Sequence, residues 1–240
     1  RGHRTRLWLR DAAVAGAINS RHENPRYLPG LALHPGLEAG TDPGLLGTEL
    51  LLLAIPCQQL RGWLHAMRHH LHAEPVLINA AKGLERGSLA PCSRIVAEEL
   101  TGRPFHYAML SGPSFAAEVV RDQPTAVVLA TAEEALGCRL RELFSCATFR
   151  CYSSTDVLGV ELGGALKNVM AIAAGVCDGL GLGHNSRAAL LTRGLAEMSR
   201  IGEACGAQAA TFMGLSGLGD LVLTCTGDLS RNRQGGLRLG

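Results

Sequence analysis

The stretch Leu50-Leu51-Leu52-Leu53-Ala54-Ile55-Pro56 decides the fold class of this 240-residue chain. Six apolar residues in a row, stopped by a proline, are typical of a central strand in a parallel sheet, where both faces are buried. Apolar residues then recur at helical spacing at positions 60, 64, 67 and 71, and a second apolar run begins at Val76. This alternation predicts βαβ units and a parallel sheet.

The same alternation extends outward over the first part of the chain. Further strands are predicted at 4–9, 76–80, 106–110, 125–130 and 149–153. From about Ser154 the strand pattern disappears, and Ala/Gly/Leu-rich helices are predicted over 155–179 and 186–205. We therefore predict two domains, a sheet-containing α/β domain over 1–153 and an all-α domain over 154–240.

The composition excludes several classes of protein. With 47% hydrophobic and 18% charged residues the chain is not disordered, and a net charge of +2 provides no electrostatic footprint for nucleic acid. No long apolar run is free of charge, since Lys167 interrupts the most apolar stretch, so no membrane span is expected. Eight cysteines without a C-x-x-C pair are expected to be reduced, mostly buried thiols of a cytoplasmic protein.

Four histidines, at positions 65, 69, 70 and 72, fall on one predicted helix. Two of them have the i, i+4 spacing of metal ligands, but no set of carboxylates or cysteines lies nearby in the sequence. A solvated helix face is therefore the better interpretation, and no metal site is predicted.

Lysine is rare in this chain: of the 23 basic residues, 21 are Arg, and only Lys82 and Lys167 are Lys. GC-rich codon usage accounts for the excess of Arg, but the lysines that remain favour sites that need a compact, titratable ammonium. Lys167 and Asn168 are the only polar side chains between Gly163 and Gly175. Because so apolar a helix is buried, desolvation is expected to lower the pKa of Lys167, which suits proton exchange with a carbonyl or alcohol.

Other candidate residues follow the predicted strands, because ligands bind at the carboxyl ends of strands in open α/β sheets. Lys82 follows the strand at 76–80, and Ser111-Gly112-Pro113-Ser114 follows the strand at 106–110. Ser114 is expected to cap a helix whose free N–H groups favour a phosphate, although an ordinary capped helix is the simpler alternative. Asp220 is either a helix cap or a site residue, and Arg231 is either solvated or a phosphate ligand.

Six segments occur along the chain in an order that identifies a family. They are Asn24-Pro25-Arg26-Tyr27-Leu28-Pro29-Gly30, Ala80-Ala81-Lys82-Gly83-Leu84-Glu85, Ser111-Gly112-Pro113-Ser114-Phe115-Ala116, Ala165-Leu166-Lys167-Asn168-Val169, and Gly217-Leu218-Gly219-Asp220-Leu221 with Ser230-Arg231-Asn232-Arg233. Each segment alone is a weak signal. Together, over nearly the whole chain, they resemble the NAD(P)-dependent glycerol-3-phosphate dehydrogenases of bacterial type.

The resemblance implies a Rossmann-type domain followed by a helical domain. The implied reaction interconverts glycerone phosphate (dihydroxyacetone phosphate) and sn-glycerol 3-phosphate with NADPH or NADH, and it feeds glycerophospholipid synthesis. Lys167 is implied as the catalytic residue that exchanges a proton with the carbonyl, with Asn168 and Thr224 beside it. The implied substrate ligands are Lys82, Gly112, Ser114, Lys167, Asp220, Ser230, Arg231 and Asn232, and the implied cofactor contacts include Lys82, Ala116 and Arg231.

The residues after the first predicted strand, Arg10-Asp11, bear on the choice of cofactor. In Rossmann proteins a carboxylate near this position binds the 2′-hydroxyl of NAD, whereas an Arg accommodates the 2′-phosphate of NADP. Both residue types are present, and we expect NADPH to be used at least as well as NADH, with Arg10 as a cofactor contact.

The two ends of the chain depart from the family pattern. Members of the family open with a strand and a Gly-rich loop that cradles the pyrophosphate. Nothing precedes Arg1 here, and the sequence stops at Gly240, so we expect the first strand, this loop and the last helices to be missing and the chain alone to be poorly active.

Two alternative functions stay open. One is a related β-hydroxyacid or 6-phosphogluconate-type dehydrogenase, which shares the two-domain plan. The other is a non-catalytic fragment that acts through binding or dimerisation. The expected partner is a phosphorylated triose, with a homodimer left open.

Overall fold

The computed structural model describes residues 3–240, so Arg1 and Gly2 lie outside the described residues. Strand β1 (Arg6–Trp8) lies within the predicted strand at 4–9 and leads into helix α1 (Ala12–Arg21). The helix starts there because the Asp11 carboxylate accepts hydrogen bonds from the first free N–H groups, those of Ala13 and Val14.

Two small sheets surround this helix, and the sequence did not predict three of their strands. The short strands β2 (Glu23–Asn24) and β3 (Leu28–Ala32) pair antiparallel. Strand β4 (Glu38–Gly40) pairs in parallel with β1. These strands are two to five residues long and half-exposed or exposed, so they lack the apolar alternation by which a strand is recognised.

The main sheet has five strands, and their spatial order follows the sequence. They are β5 (Leu50–Leu53), β6 (Val76–Asn79), β7 (His106–Ser111), β8 (Thr125–Ala130) and β9 (Phe149–Ser154). All five lie where the sequence predicts strands, with ends that differ by one or two residues.

The run that decides the fold class does not form the strand that is most buried. Leu50–Leu53 lies at the edge of the described part of the sheet, and the Leu52 side chain is 47% exposed. The expectation of a central strand buried on both faces is therefore wrong for β5. It holds for its neighbour β6, in which all four residues are buried.

The sheet is also not wholly parallel. Strands β5, β6 and β7 are parallel, but β8 runs antiparallel to β7, and β9 is parallel to β8. Helix α4 (Ala116–Val120) connects β7 to β8 and has five residues, or about 8 Å, too short to return the chain along a strand of about 20 Å. The chain therefore turns back beside β7.

Three longer helices cover the sheet. Helices α2 (Cys57–Met67) and α3 (Cys92–Glu99) pack on β5 and β6 around Leu60, Leu64 and Ile95. Helix α5 (Glu134–Phe144) covers the other face through Leu136 and Leu140.

Beyond the last strand the chain is helical, as predicted. The helices are α6 (Val157–Gly179), α7 (Gly183–Ala204), α8 (Ala209–Phe212), α9 (Asp220–Thr226) and α10 (Arg231–Leu237), with a π-helical turn at Leu215–Gly219. Helix α6 lies at the centre, packed against α7, α9, α10 and strand β7. The division into domains at 153/154 stays a prediction.

By length and composition, two helical stretches could cross a membrane: Val157–Gly179 and Ala209–Thr226. Half of the apolar stretch in the first helix is buried inside the fold. The second stretch is interrupted by the π-helical turn at Leu215–Gly219. The core helix of a globular domain has the same composition as a membrane span. The expectation that the chain has no span therefore stays a prediction.

Helices α6 and α10 approach so closely that their backbones touch. A Cβ atom on Gly175 would clash with the carbonyl oxygen of Arg233 and lie 2.8 Å from the amide nitrogen of Leu237. A Cβ atom on Gly236 would clash with the carbonyl oxygen of Ile172. The position of α10 on α6 is therefore set by glycines on both helices, which let the two backbones approach.

We predict that Gly175→Ala destabilises the fold by about 1–3 kcal/mol, because the added methyl group meets backbone that has no room to move. Gly235→Ala is the matched control, since nothing lies within 4 Å of its Cβ position. In α10 that change removes the helix penalty of glycine, worth about 0.5–1 kcal/mol. Urea unfolding of both variants measures the difference, and equal stabilities would contradict the close contact.

Candidate active site

Three charged side chains from distant parts of the sequence meet at one buried point. The Asp220 carboxylate, 2% exposed, accepts from Lys82 through Oδ2, at 2.5 Å from Nζ, and pairs with Lys167 through Oδ1. Lys82 and Lys167 are the only lysines of the chain. The two lysines that the sequence singled out thus pair with the same carboxylate.

Lys82 is placed by the loop that leaves the buried strand β6. The side chain of Asn79 holds this loop in a turn: its amide donates to the Ala81 carbonyl at 3.0 Å, and its oxygen accepts from the Ala81 N–H at 3.2 Å. Farther along, Glu85 pairs with Arg61 of α2 at 2.8 Å. The loop is therefore held at both ends, and Lys82 Nζ also donates to the Gly112 carbonyl at 3.2 Å.

Lys167 lies on α6, where two glycines admit close neighbours. A Cβ atom on Gly163 would lie 2.7 Å from the carbonyl oxygen of Ser216, in the π-helical turn. One on Gly164 would lie 3.2 Å from the stem of Lys82 and from Ser111 Oγ. These absent side chains let the π-helical turn and the Lys82 side chain press onto α6 beside Lys167.

Asp220 is not the helix cap that the sequence allowed as an alternative. It is the first residue of α9, preceded by Gly219 at the cap position, and its side chain is turned to the lysines. One turn farther along α9, Thr224 Oγ1 accepts a hydrogen bond from Lys167 Nζ at 3.0 Å. Helix α9 thus supplies both oxygen partners of Lys167.

The environment of Lys167 gives its ammonium group an unusual acidity. The pKa of Lys167 is lowered to about 8, chiefly by burial and also by the nearby charge of Lys82, while Asp220 opposes both effects. An amine with this pKa is found in both protonation states close to neutral pH. It can therefore give a proton to an oxygen atom and recover it, as the sequence analysis expected.

Three further predicted residues begin helix α10. The hydroxyl of Ser230, which is buried, accepts from the Arg233 N–H at 3.3 Å and caps this helix. Asn232 donates through its amide to Asn168 Oδ1 at 2.8 Å, next to Lys167 in the sequence. Arg231 is exposed and makes no hydrogen bond or ion pair within residues 3–240. The start of α10 thus lies beside the lysine cluster, formed by Lys82, Lys167 and Asp220. The Arg231 guanidinium at this start has no partner among the described residues.

The segment after β7 differs from its prediction at Ser114. Helix α4 is capped by Phe115 without a side-chain hydrogen bond, and the Ser114 hydroxyl donates to the Gly112 carbonyl at 3.2 Å instead. The predicted cap is therefore wrong, because the helix starts one residue later than a Ser114 cap requires. Gly112 has φ +137°, and a Cβ atom there would lie 3.0 Å from the Val127 Cα, so only glycine fits.

Two predicted cofactor contacts lie apart from the lysine cluster. Arg10 is exposed at the carboxyl end of β1, and Ala116 is exposed at the start of α4. The neighbouring Asp11 carboxylate is already engaged, since it caps α1 and pairs with Arg26 at 3.2 Å. Of the two charged residues after β1, Arg10 is therefore the one whose charged group has no partner within the described part of the chain.

The sequence analysis missed a second buried carboxylate on α6, that of Glu161. It accepts from the N–H of Ser93 at 2.8 Å, from the Ser93 hydroxyl at 2.6 Å and from the Tyr107 hydroxyl at 2.8 Å. Burial raises the pKa of Glu161, although the Ser93 and Tyr107 hydrogen bonds oppose this. A charged residue in an otherwise apolar helix is the signal that singled out Lys167, and the same signal could have singled out Glu161.

The histidines do not share one helix face as predicted. His65 lies on α2, whereas His69 and His70 belong to a separate 3-10 turn, Arg68–His70. Over the part of the chain that the structure describes, no three His, Cys, Asp or Glu side chains form a group that could hold a metal ion. Five of the eight cysteines are buried.

Comparison with families of known proteins matches both parts of the chain. Residues 1–137 match the model of the NAD-dependent glycerol-3-phosphate dehydrogenase N-terminus, and residues 156–240 match that of the C-terminus. Glycerol-3-phosphate dehydrogenase (NAD(P)+) of Desulfovibrio desulfuricans is 70% identical over 239 residues, which are 100% of this chain and 72% of that protein. The enzyme of the same name from Nitratidesulfovibrio vulgaris is 61% identical and is covered over 73% of its length by the whole of this chain.

Solved structures agree with these matches. The crystal structure of glycerol-3-phosphate dehydrogenase from Coxiella burnetii superposes with a TM-score of 0.93 at 40% identity, over 99% of this chain and 73% of that one. The Dunaliella salina enzyme superposes with a TM-score of 0.88 at 29% identity, over 98% of this chain and 41% of that one. The sheet followed by helices, the two family models and these relatives lead to one conclusion: the chain belongs to the NAD-dependent glycerol-3-phosphate dehydrogenase family.

Proposed function

We propose that the cluster of Lys82, Lys167 and Asp220 is the reaction centre at which this chain interconverts glycerone phosphate and sn-glycerol 3-phosphate with NADH or NADPH. The observation that carries the proposal is the meeting of the only two lysines of the chain on one buried carboxylate. Membership of the family excludes the alternative of a β-hydroxyacid or 6-phosphogluconate-type dehydrogenase.

Lys167 is the group that moves the proton. Reduction of the carbonyl needs one proton on the oxygen atom, and the Lys167 ammonium donates it; in the oxidative direction the neutral amine takes it from the hydroxyl. A pKa of about 8 makes both states accessible near neutral pH. Asp220 and Thr224, one turn apart on the same face of α9, hold Nζ in place.

Lys82 supplies positive charge where negative charge develops on the substrate oxygen. It shares Asp220 with Lys167, and its second acceptor is the Gly112 carbonyl. Two ammonium groups on one carboxylate leave a net positive charge in a largely buried place, which favours an oxyanion. Gly112 and Ser114 would line the substrate on this side.

Arg231, Ser230 and Asn232 would bind the phosphate end of the substrate. A guanidinium binds phosphate through two parallel hydrogen bonds, and Arg231 is exposed and unpaired within the described residues. Asn232 is joined to Asn168, beside the catalytic lysine, so the two ends of a three-carbon substrate have ligands on adjoining elements.

The dinucleotide supplies the hydride when it is bound. The donor set fits such a group at the carboxyl end of β1, where the Arg10 guanidinium is exposed while the Asp11 carboxylate is neutralised by Arg26. Lys82, Ala116 and Arg231 would be the further contacts of the cofactor. Cytoplasmic location and a homodimer also belong to this proposal; burial of most of the cysteines supports the first.

The proton-transfer role is tested by Lys167→Arg in the full-length enzyme. Arg keeps the charge but does not titrate in the useful range, so turnover should fall by about 10²- to 10⁴-fold, nearly as far as in Lys167→Met. Steady-state reduction of glycerone phosphate over a pH series measures this loss. Turnover within a few-fold of the parent would overturn the role.

Lys82→Arg is the matched control for that experiment. If Lys82 mainly supplies charge, Arg retains part of the activity, and the defect lies chiefly in the Michaelis constants. A chain that binds dinucleotide but turns over no glycerone phosphate would instead support the non-catalytic alternative.

The cofactor preference is tested by Arg10→Ala. We expect the parent to use NADPH at least as well as NADH, and the variant to raise the Michaelis constant for NADPH more than that for NADH, because only NADPH carries the 2′-phosphate. Arg4→Ala, an exposed arginine before the other end of β1, should change neither constant. An equal effect of Arg10→Ala on both cofactors would exclude this contact.

The lowered pKa of Lys167 predicts a pH-dependent stability. Between pH 8 and its ordinary pKa of 10.5, the unfolded chain binds the lysine proton and the folded chain releases it, so the parent gains stability as the pH rises. Relative to Lys167→Met, the gain over this range is up to about 3 kcal/mol. Urea unfolding at pH 8, 9 and 10 measures this gain in stability. Arg193→Met is the control, because it removes an exposed arginine from an ion pair on α7. A flat difference would mean that Lys167 is not desolvated.

A further inference from the structure

We infer that Asp178, at the end of α6, is a positioning residue for recognition of the substrate phosphate: through Arg233 it fixes helix α10 and with it the side chain of Arg231. The inference rests on the proposed function, since it assigns the determinant of phosphate specificity in that same site.

Asp178 is the anchor of a half-buried ion-pair network. Its Oδ2 accepts from Arg233 Nε at 3.0 Å and from Nη2 at 2.8 Å. Arg187 of α7 donates to both carboxylate oxygens, at 2.9 and 3.0 Å. Burial opposes ionisation, but these hydrogen bonds outweigh it and lower the pKa of Asp178, so the carboxylate stays charged at working pH.

The two arginines at the start of α10 lie in opposite environments. Arg233 is 11% exposed and engaged on both sides, by Asp178 and by Asp228 at 2.9 Å. Arg231 is exposed and unpaired within residues 3–240. Residues two apart on a helix lie about 200° apart around its axis, so the face that Arg233 binds to α6 is not the face that carries Arg231. Fixing Arg233 therefore fixes the direction of Arg231.

Helix α10 depends on such anchors because it is short. Seven residues do not form a stable helix by themselves, so tertiary contacts must hold it. The glycine contact with α6 sets its distance, and the Asn168–Asn232 bond sets its start. Neither contact carries charge. The pair Asp178–Arg233 is thus the strongest restraint on its rotation.

The test compares glycerone phosphate with unphosphorylated glycerone (dihydroxyacetone) as substrates of the full-length enzyme at saturating cofactor. Asp178→Asn should raise the KM for glycerone phosphate by about 10- to 100-fold, the value of a charged hydrogen-bond pair, with kcat within about threefold. The kcat/KM for glycerone should stay within about threefold of the parent. A variant that merely loosens the fold would lower kcat/KM for both substrates alike.

The route through Arg231 is tested by a double-mutant cycle. Arg231→Ala should raise the KM for glycerone phosphate by a similar factor. Asp178→Asn combined with Arg231→Ala should raise this KM no further than Arg231→Ala alone. Additive losses would overturn the inference, and so would an unchanged KM in Asp178→Asn. Glu197→Gln, the same chemical change in an exposed ion pair of α7, is the control and should leave both substrates unaffected.

Two provisions keep the outcome decisive. If Asp178→Asn does not fold, as judged by its thermal transition, Arg233→Lys replaces it, because lysine keeps the charge but loses the fork that binds Asp178. If the parent itself does not prefer glycerone phosphate over glycerone, the proposed function fails. If the parent discriminates and the variants discriminate equally well, only the role of Asp178 fails.

Discussion

The Asp220 carboxylate is the point on which the rest of the site depends, because it pairs with two ammonium groups that would otherwise repel each other in a largely buried place. Lys82 comes from the sheet and Lys167 from the central helix, and each uses one oxygen of the carboxylate. Removing one partner of a buried charge cluster leaves the others uncompensated. Burial and the charge of Lys82 lower the pKa of Lys167, and Asp220 opposes this shift while it holds the two lysines together.

Helix α6 carries this site because its surface is made of small residues at the points of contact. Gly163 and Gly164 admit the π-helical turn and the stem of Lys82, and Gly175 admits the backbone of α10. The few charged residues of the helix are all engaged: Glu161 with Ser93 and Tyr107, Lys167 with Asp220, and Asp178 with two arginines. The few polar groups of this largely apolar helix thus all bind neighbouring elements.

Most of the elements could be predicted, and the exceptions have physical reasons. Periodicity located all five strands of the main sheet and the long helices, since these elements bury one face or two. It could not locate β2, β3 and β4, which are short and little buried, nor the reversal of β8, which depends on the length of α4 in space. The predicted cap at Ser114 failed because a one-residue shift of a helix start is invisible in the pattern.

By itself, the sequence determined the fold class, the family and the two lysines, because apolar periodicity, ordered motifs and the scarcity of lysine are properties of the chain alone. Only the tertiary structure decided that Lys82 and Lys167 share Asp220, that Asp11 pairs with Arg26 beside Arg10, and that Arg233 is engaged while the Arg231 side chain has no partner among residues 3–240. The physical reason is that ion pairing depends on distances of a few ångströms between residues far apart in the sequence. Such distances arise only when the helices and the sheet have packed.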